Sequence, residues 1–101
     1  MESRRKGSDV SLEICNMPAF ADVSDRRAQS LKVLEEASEL CEASKWYIHN
    51  GAVELRTAML DELADVMQTL QNFAACFEIT DAEISQAVQR CIERNEERGR
   101  Y

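Results

Sequence analysis

The chain is predicted to be all-α, and three observations predict it. Apolar residues recur at helical spacing over 24–49, 52–77 and 81–98. Each run is bounded by helix punctuation, and no stretch alternates apolar and polar residues as a half-buried strand would. There are no internal repeats or low-complexity tracts.

The elements follow in order. Residues 1–22 lack periodicity and read as a flexible N-terminal segment. The sole proline, Pro18, marks an extended or turning stretch before the first helix. Residues 23–101 then form one helical domain. Ser24 is the expected N-cap of the first helix, and Asn50-Gly51 its stop. The second helix starts near Ala52, or near Thr57 if the intervening stretch is irregular, and runs to about Phe77. Thr80-Asp81-Ala82-Glu83 is a capping box that opens a third helix, which Gly99 ends. The tight turn at Gly51 makes the first two helices antiparallel neighbours. Leu31, Leu60, Met67 and Phe77 are left over as apolar surface. The expected architecture is therefore an antiparallel helical bundle completed by homo-oligomerisation, most simply a symmetric dimer.

Composition narrows the class. A chain of 101 residues supports one domain with one modest core. Its net charge of -7, with nothing basic and contiguous beyond Arg4-Arg5-Lys6, argues against nucleic acid as partner. No apolar run approaches membrane-spanning length, and the start of the chain lacks a signal peptide's apolar core, so a cytoplasmic protein is expected. Cys15, Cys41, Cys76 and Cys91 are scattered, which suits reduced thiols rather than a zinc site or disulfide framework.

The chemistry lies in two acidic pairs, Glu36/Glu39 and Glu62/Asp65, each spaced i, i+3 so that both carboxylates project from one side of a helix. Glu36 falls among Val33, Leu40, Ala43 and Tyr47, while Glu35 points away with Glu42. Glu62 falls among Leu55, Met59, Val66 and Phe73, while Asp61 turns outward. A carboxylate in an apolar stripe is costly unless paired or metal-bound. All four acids lie 11 to 15 residues from Gly51, so antiparallel packing brings them to one height. Four such acids can build an all-oxygen site for a hard divalent cation, Mg²⁺ with Mn²⁺ as the alternative. The competing reading is boundary-position acids in surface ion pairs.

These residues resemble the all-α nucleoside triphosphate pyrophosphohydrolases of the MazG, dimeric dCTP/dUTP pyrophosphatase and phosphoribosyl-ATP pyrophosphohydrolase type. The resemblance rests on EEASEL, DELADV and RNEERGRY, and covers roughly residues 32–98. It implies that Glu36, Glu39, Glu62 and Asp65 are Mg²⁺ ligands, and that Asn95 and Arg98 approach phosphates or sugar. It further implies a dimer or a tetramer of dimers that hydrolyses a nucleoside triphosphate to monophosphate and pyrophosphate. Glu36 and Glu39 are the candidate catalytic acids. Glu39 is the first choice for contacting the attacking water, although no sequence feature separates the two.

Further candidates are positional. Lys32, one turn before Glu36, either contacts phosphate or pairs with that glutamate. Lys45 matches a lysine frequent in the phosphoribosyl-ATP enzymes, and Trp46 a tryptophan of the dCTP type that could stack on a base. Asn72 either reads a base edge or makes an interhelical hydrogen bond. His49 is expected to serve the helix end rather than catalysis. Two positions depart from the pattern: Cys91 stands where many members have lysine, so that a phosphate contact is either missing or supplied by Arg90 or Arg94, and Thr69 replaces the aromatic of dCTP-type members, against a cytosine preference. Two alternatives accompany the nucleotide-hydrolase expectation. One is phosphoribosyl-ATP pyrophosphohydrolase, and the other is a catalytically silent helical oligomerisation module.

Overall fold

Helix punctuation decides where this chain turns. A computed structural model of the protein describes residues 17–101. Over these it is all-helical, with α1 at Arg26–Asn50, α2 at Val53–Cys76 and α3 at Asp81–Glu97, and no strand among the described residues. They divide into two units, 17–78 and 79–101.

In the first unit, α1 begins one residue later than the sequence suggests. Asp25, not Ser24, is the N-cap, its Oδ1 accepting from the Ala28 N–H at 3.0 Å. Ser24 is engaged elsewhere: its N–H and hydroxyl both donate to Asp22, at 3.2 and 2.9 Å, in a local turn that competes with capping. The helix ends as expected. Gly51 adopts φ 79°, and its N–H donates to the Tyr47 carbonyl at 2.7 Å. Asn50 Oδ1 accepts from the Ala52 N–H at 3.0 Å, which closes the two-residue connection into α2. His49 occupies the last turn of α1, where a basic group complements the helix dipole.

Gly51 sits in the left-handed region, and a Cβ there would meet nothing within 4 Å. Gly51→Ala should therefore cost backbone strain alone, about 1 kcal/mol. A drop in Tm with unchanged helical circular dichroism would record it.

α1 and α2 pack antiparallel. The Arg26 guanidinium lies 5.0 Å above the Phe77 ring at one end of the hairpin, and Arg56 lies 5.6 Å above the Tyr47 ring near the turn. Val33, Leu40, Ala43 and Tyr47 of α1 face Leu55, Met59, Val66 and Phe73 of α2 as half-buried stripes. The modest core expected from composition is not closed, since no apolar residue is buried among the described residues. Only Thr69 and Asn72, at 6% and 5% exposure, are buried.

The expectation of flexibility over 1–22 falls mostly outside the described residues, as do Cys15 and Arg4-Arg5-Lys6. Residues 17–25 run without helix, and two of them are tied to α2. The Phe20 N–H donates to Asn72 Oδ1 at 2.9 Å, and Gln68 Nε2 donates to the Pro18 carbonyl at 2.9 Å.

The second unit is α3. Its capping box forms in both directions: the Glu83 N–H donates to Thr80 Oγ1 at 3.1 Å, and the Thr80 N–H donates to Glu83 Oε1 at 2.9 Å. Gly99, at φ 67°, follows the helix end. Cys41, Cys76 and Cys91 are free thiols. No helix among the described residues is long and apolar enough to cross a membrane.

Candidate metal centre

The antiparallel register that sets Arg56 against Tyr47 also brings the acidic pairs to one level. Glu36 from α1 meets Glu62 and Asp65 from α2, each offering a carboxylate oxygen within 4.8 Å of the others. Glu36 and Glu62 are half-buried because each sits on its helix's packed stripe, whereas Asp65 is exposed at the rim. The Oε2 atoms of Glu36 and Glu62 are buried and receive no hydrogen bond. Such an arrangement is expensive for carboxylates unless a cation or proton compensates it.

Electrostatics carry the same mark. Glu36 is pushed above the ordinary glutamate value of 4.5, first by desolvation, then by the adjoining Glu39 and by Asp65, with Lys32 pulling slightly the other way. Glu62 is pushed up by desolvation first, then by repulsion from Glu39, Asp65 and Asp61. Glu39 is the exposed fourth acid of the group, a neighbour of both glutamates. In the charged state all four oppose one another, and a divalent cation removes that opposition. The spacing also suits one: oxygens on opposite sides of Mg²⁺ stand about 4.2 Å apart. The donor set therefore fits a hard cation.

Two cavities adjoin the cluster. One, of about 260 Å³, extends toward the start of α1 and includes Phe20, Lys32, Glu36, Asp65, Thr69 and Asn72 in its lining. The other, of about 270 Å³, extends toward the turn, with Trp46, Leu55 and Ala58 beside Glu39 and Glu62. The remaining sequence-predicted residues distribute around them. Lys32 reaches the first cavity but does not pair with Glu36. Its Nζ stands 3.2 Å from Glu35 Oε1, a contact that raises the lysine pKa. Both glutamates are within one helical turn of Lys32, and Glu35 is the one it meets. Trp46 is 55% exposed over the second cavity, and its indole N–H donates to Glu42 Oε1 at 3.1 Å. Lys45 pairs with that same Glu42 at 3.6 Å, and both side chains are exposed.

Asn72 Oδ1 accepts from the Phe20 N–H and from Gln68 Nε2, at 2.9 and 3.0 Å, and so serves the 17–25 segment rather than α1. Asn95 and Arg98 belong to α3. There Asn95 Oδ1 accepts from Arg100 at 3.0 Å, its amide approaches Cys91 Sγ at 3.6 Å, and Arg98 is the C-cap residue. Among the described residues, the carboxylate cluster is built from α1 and α2. Sequence reasoning missed Phe20 and Gln68 as lining residues, since residues about fifty positions apart share no periodic signal. No family model, curated protein or solved structure matches this chain.

Proposed function

We propose that the protein is a Mg²⁺-dependent nucleoside triphosphate pyrophosphohydrolase of the all-α type, acting in nucleotide house-cleaning in the cytoplasm as a homo-oligomer. The observation that carries this reading is the meeting of Glu36, Glu62 and Asp65 with two buried carboxylate oxygens that no donor satisfies. That feature separates the cluster from an ordinary acidic surface, where water would solvate every oxygen. The resemblance of the acidic pairs and of the Asn95/Arg98 element to the all-α pyrophosphohydrolases supplies the reaction.

In this mechanism Glu36, Glu62 and Asp65 would hold Mg²⁺, with Glu39 joining them or remaining free. Bound there, the ion would supply neutralisation of triphosphate charge. Glu39, exposed and adjacent to both half-buried acids, orients a water and takes its proton as the water oxygen attacks phosphorus. A P–O bond of the anhydride breaks, and pyrophosphate and nucleoside monophosphate separate. Lys32 is held only by an exposed ion pair with Glu35, so it can turn toward an arriving phosphate at little cost. Trp46 offers an open ring beside the second cavity, and the resemblance assigns phosphates or sugar to Asn95 and Arg98.

The silent-module reading draws on a different observation, the exposed leucines of α1 and α2, which fit assembly with or without catalysis. One assay separates the two. Pyrophosphate release is measured from a panel of ribo- and deoxyribonucleoside triphosphates and from phosphoribosyl-ATP, with Mg²⁺ or with EDTA. Release that EDTA abolishes is expected for at least one nucleoside triphosphate. Activity confined to phosphoribosyl-ATP would move the assignment to that enzyme, and silence throughout would leave the module.

A further inference from the structure

The strap formed by residues 17–25 carries an aromatic ring whose placement the hairpin does not require. Phe20 is 62% exposed, so its ring contributes little to packing. Yet the backbone on either side of it is fixed. The Phe20 N–H is bound by Asn72, and the Pro18 carbonyl by Gln68. Those two amides are bonded to each other at 3.0 Å, and Asn72 is one of only two buried residues among those described. A buried amide thus spends its oxygen on holding a strap whose largest apolar group stays in water. Ordering that backbone costs entropy which the exposed ring does not return.

The ring borders the cavity of about 260 Å³ that opens onto Glu36 and Asp65. That volume lies just below the range of about 300–1,000 Å³ that holds whole drug-sized ligands. It suits one planar ring system, with the charged remainder of the ligand lying outside it over the carboxylates. Gln68 Nε2 and Asn72 Oδ1 are engaged by the strap, which leaves Gln29 and Thr69 to meet the edge of an entering ring.

We propose that Phe20 contacts the substrate, its ring covering the base in this cavity, and that Asn72 is the positioning residue that holds the strap in place. The proposal rests on the nucleotide reading given above. It assigns the base to the strap side of the carboxylates rather than to the Trp46 side, and it gives Asn72 a role exerted through Phe20 rather than direct reading of a base.

The test is calorimetric binding, with Mg²⁺, of α,β-methylene deoxyribonucleoside triphosphates, which lack the cleavable anhydride, beside inorganic tripolyphosphate as a base-free probe. Phe20→Ala should weaken nucleotide binding about tenfold, the scale of stacking one base on one aromatic side chain, and leave tripolyphosphate binding within twofold. Phe20→Tyr should restore nucleotide affinity. Asn72→Ala should reproduce the loss, and the double variant should bind no more weakly than Phe20→Ala alone, since both changes remove one contact. The exposure of Phe20 keeps the first arm readable even if Asn72→Ala fails to fold. Wild-type affinity for nucleotides in Phe20→Ala would overturn the proposal, as would an equal loss of tripolyphosphate binding. A wild-type protein that binds neither probe would instead remove the nucleotide reading, and this inference with it.

Discussion

Glu36→Gln and Glu62→Gln are each expected to abolish Mg²⁺-dependent pyrophosphate release while making the metal-free protein more stable at neutral pH. The two effects share one cause. Both carboxyls sit on packed stripes with a buried Oε2 that nothing satisfies, and both titrate above 4.5 because of desolvation and neighbouring acids. As pH rises, the unfolded chain releases these protons first and the folded chain releases them later. The metal-free fold therefore loses stability from about pH 4.5 upward, through the raised values, and the loss is complete above them. Glutamine keeps the shape without the charge, so each variant should show a flatter stability–pH profile than wild type over that window. Mg²⁺ should raise the wild-type Tm and do so far less in either variant. Turnover should fall by more than the roughly 10–100-fold that follows loss of an outer-shell partner at a metal site. Glu39→Gln separates the roles, with turnover lost but much of the Mg²⁺-induced shift in Tm retained. Thermal melts between pH 4 and 8, with Mg²⁺ or EDTA, read all of this. Glutamine variants that melt and turn over like wild type would show the cluster to be ordinary surface.

How much of this was legible beforehand differs by residue. The helices were, because Gly51, Thr80 and Glu83 announce their ends chemically, through a left-handed φ and a reciprocal cap. Meeting of the acidic pairs was legible too, since a two-residue connection fixes an antiparallel register and the rise per residue does the rest. The start of α1 was misplaced by one residue because Ser24 and Asp25 are both good caps. What decides between them is Asp22, which occupies Ser24. Of the two readings of Lys32, phosphate contact or pairing with Glu36, the pairing goes to Glu35 instead, which spacing alone does not decide. The role of Asn72 was hidden for a different reason. Its partner Phe20 lies 52 positions away in a segment without periodicity, so nothing local pointed to it. Lys45 is engaged by Glu42 in an exposed ion pair, a partner that the family resemblance did not indicate.

The second large effect concerns the faces that the hairpin leaves bare. An antiparallel pair of helices hides one stripe of each, and here that stripe carries the carboxylates. On α1, Leu31, Leu34, Cys41 and Ile48 recur at 3 and 7 residues, so they form a second stripe turned away from Glu36, and all four are exposed. On α2, Val53 and Leu60 repeat the pattern, seven residues apart and exposed. The chain is 45% apolar, yet none of its described apolar residues is buried. Folded domains owe their margin of stability to such burial. A second copy offers the same stripes by symmetry, which is why self-association is the expected solution. Wild-type protein should therefore sediment as an oligomer, and its Tm should rise with protein concentration. Leu34→Asp places a charge at the centre of the α1 stripe. It should weaken association by about 2 kcal/mol or more, as for a buried interface anchor, or roughly 30-fold in the dissociation constant. Light scattering and concentration-dependent melts measure both quantities. A cooperative melt that is independent of concentration, at the mass of one chain, would show that the chain covers these faces itself. In that case Leu34→Asp should act as a folding mutation, lowering Tm equally at every concentration.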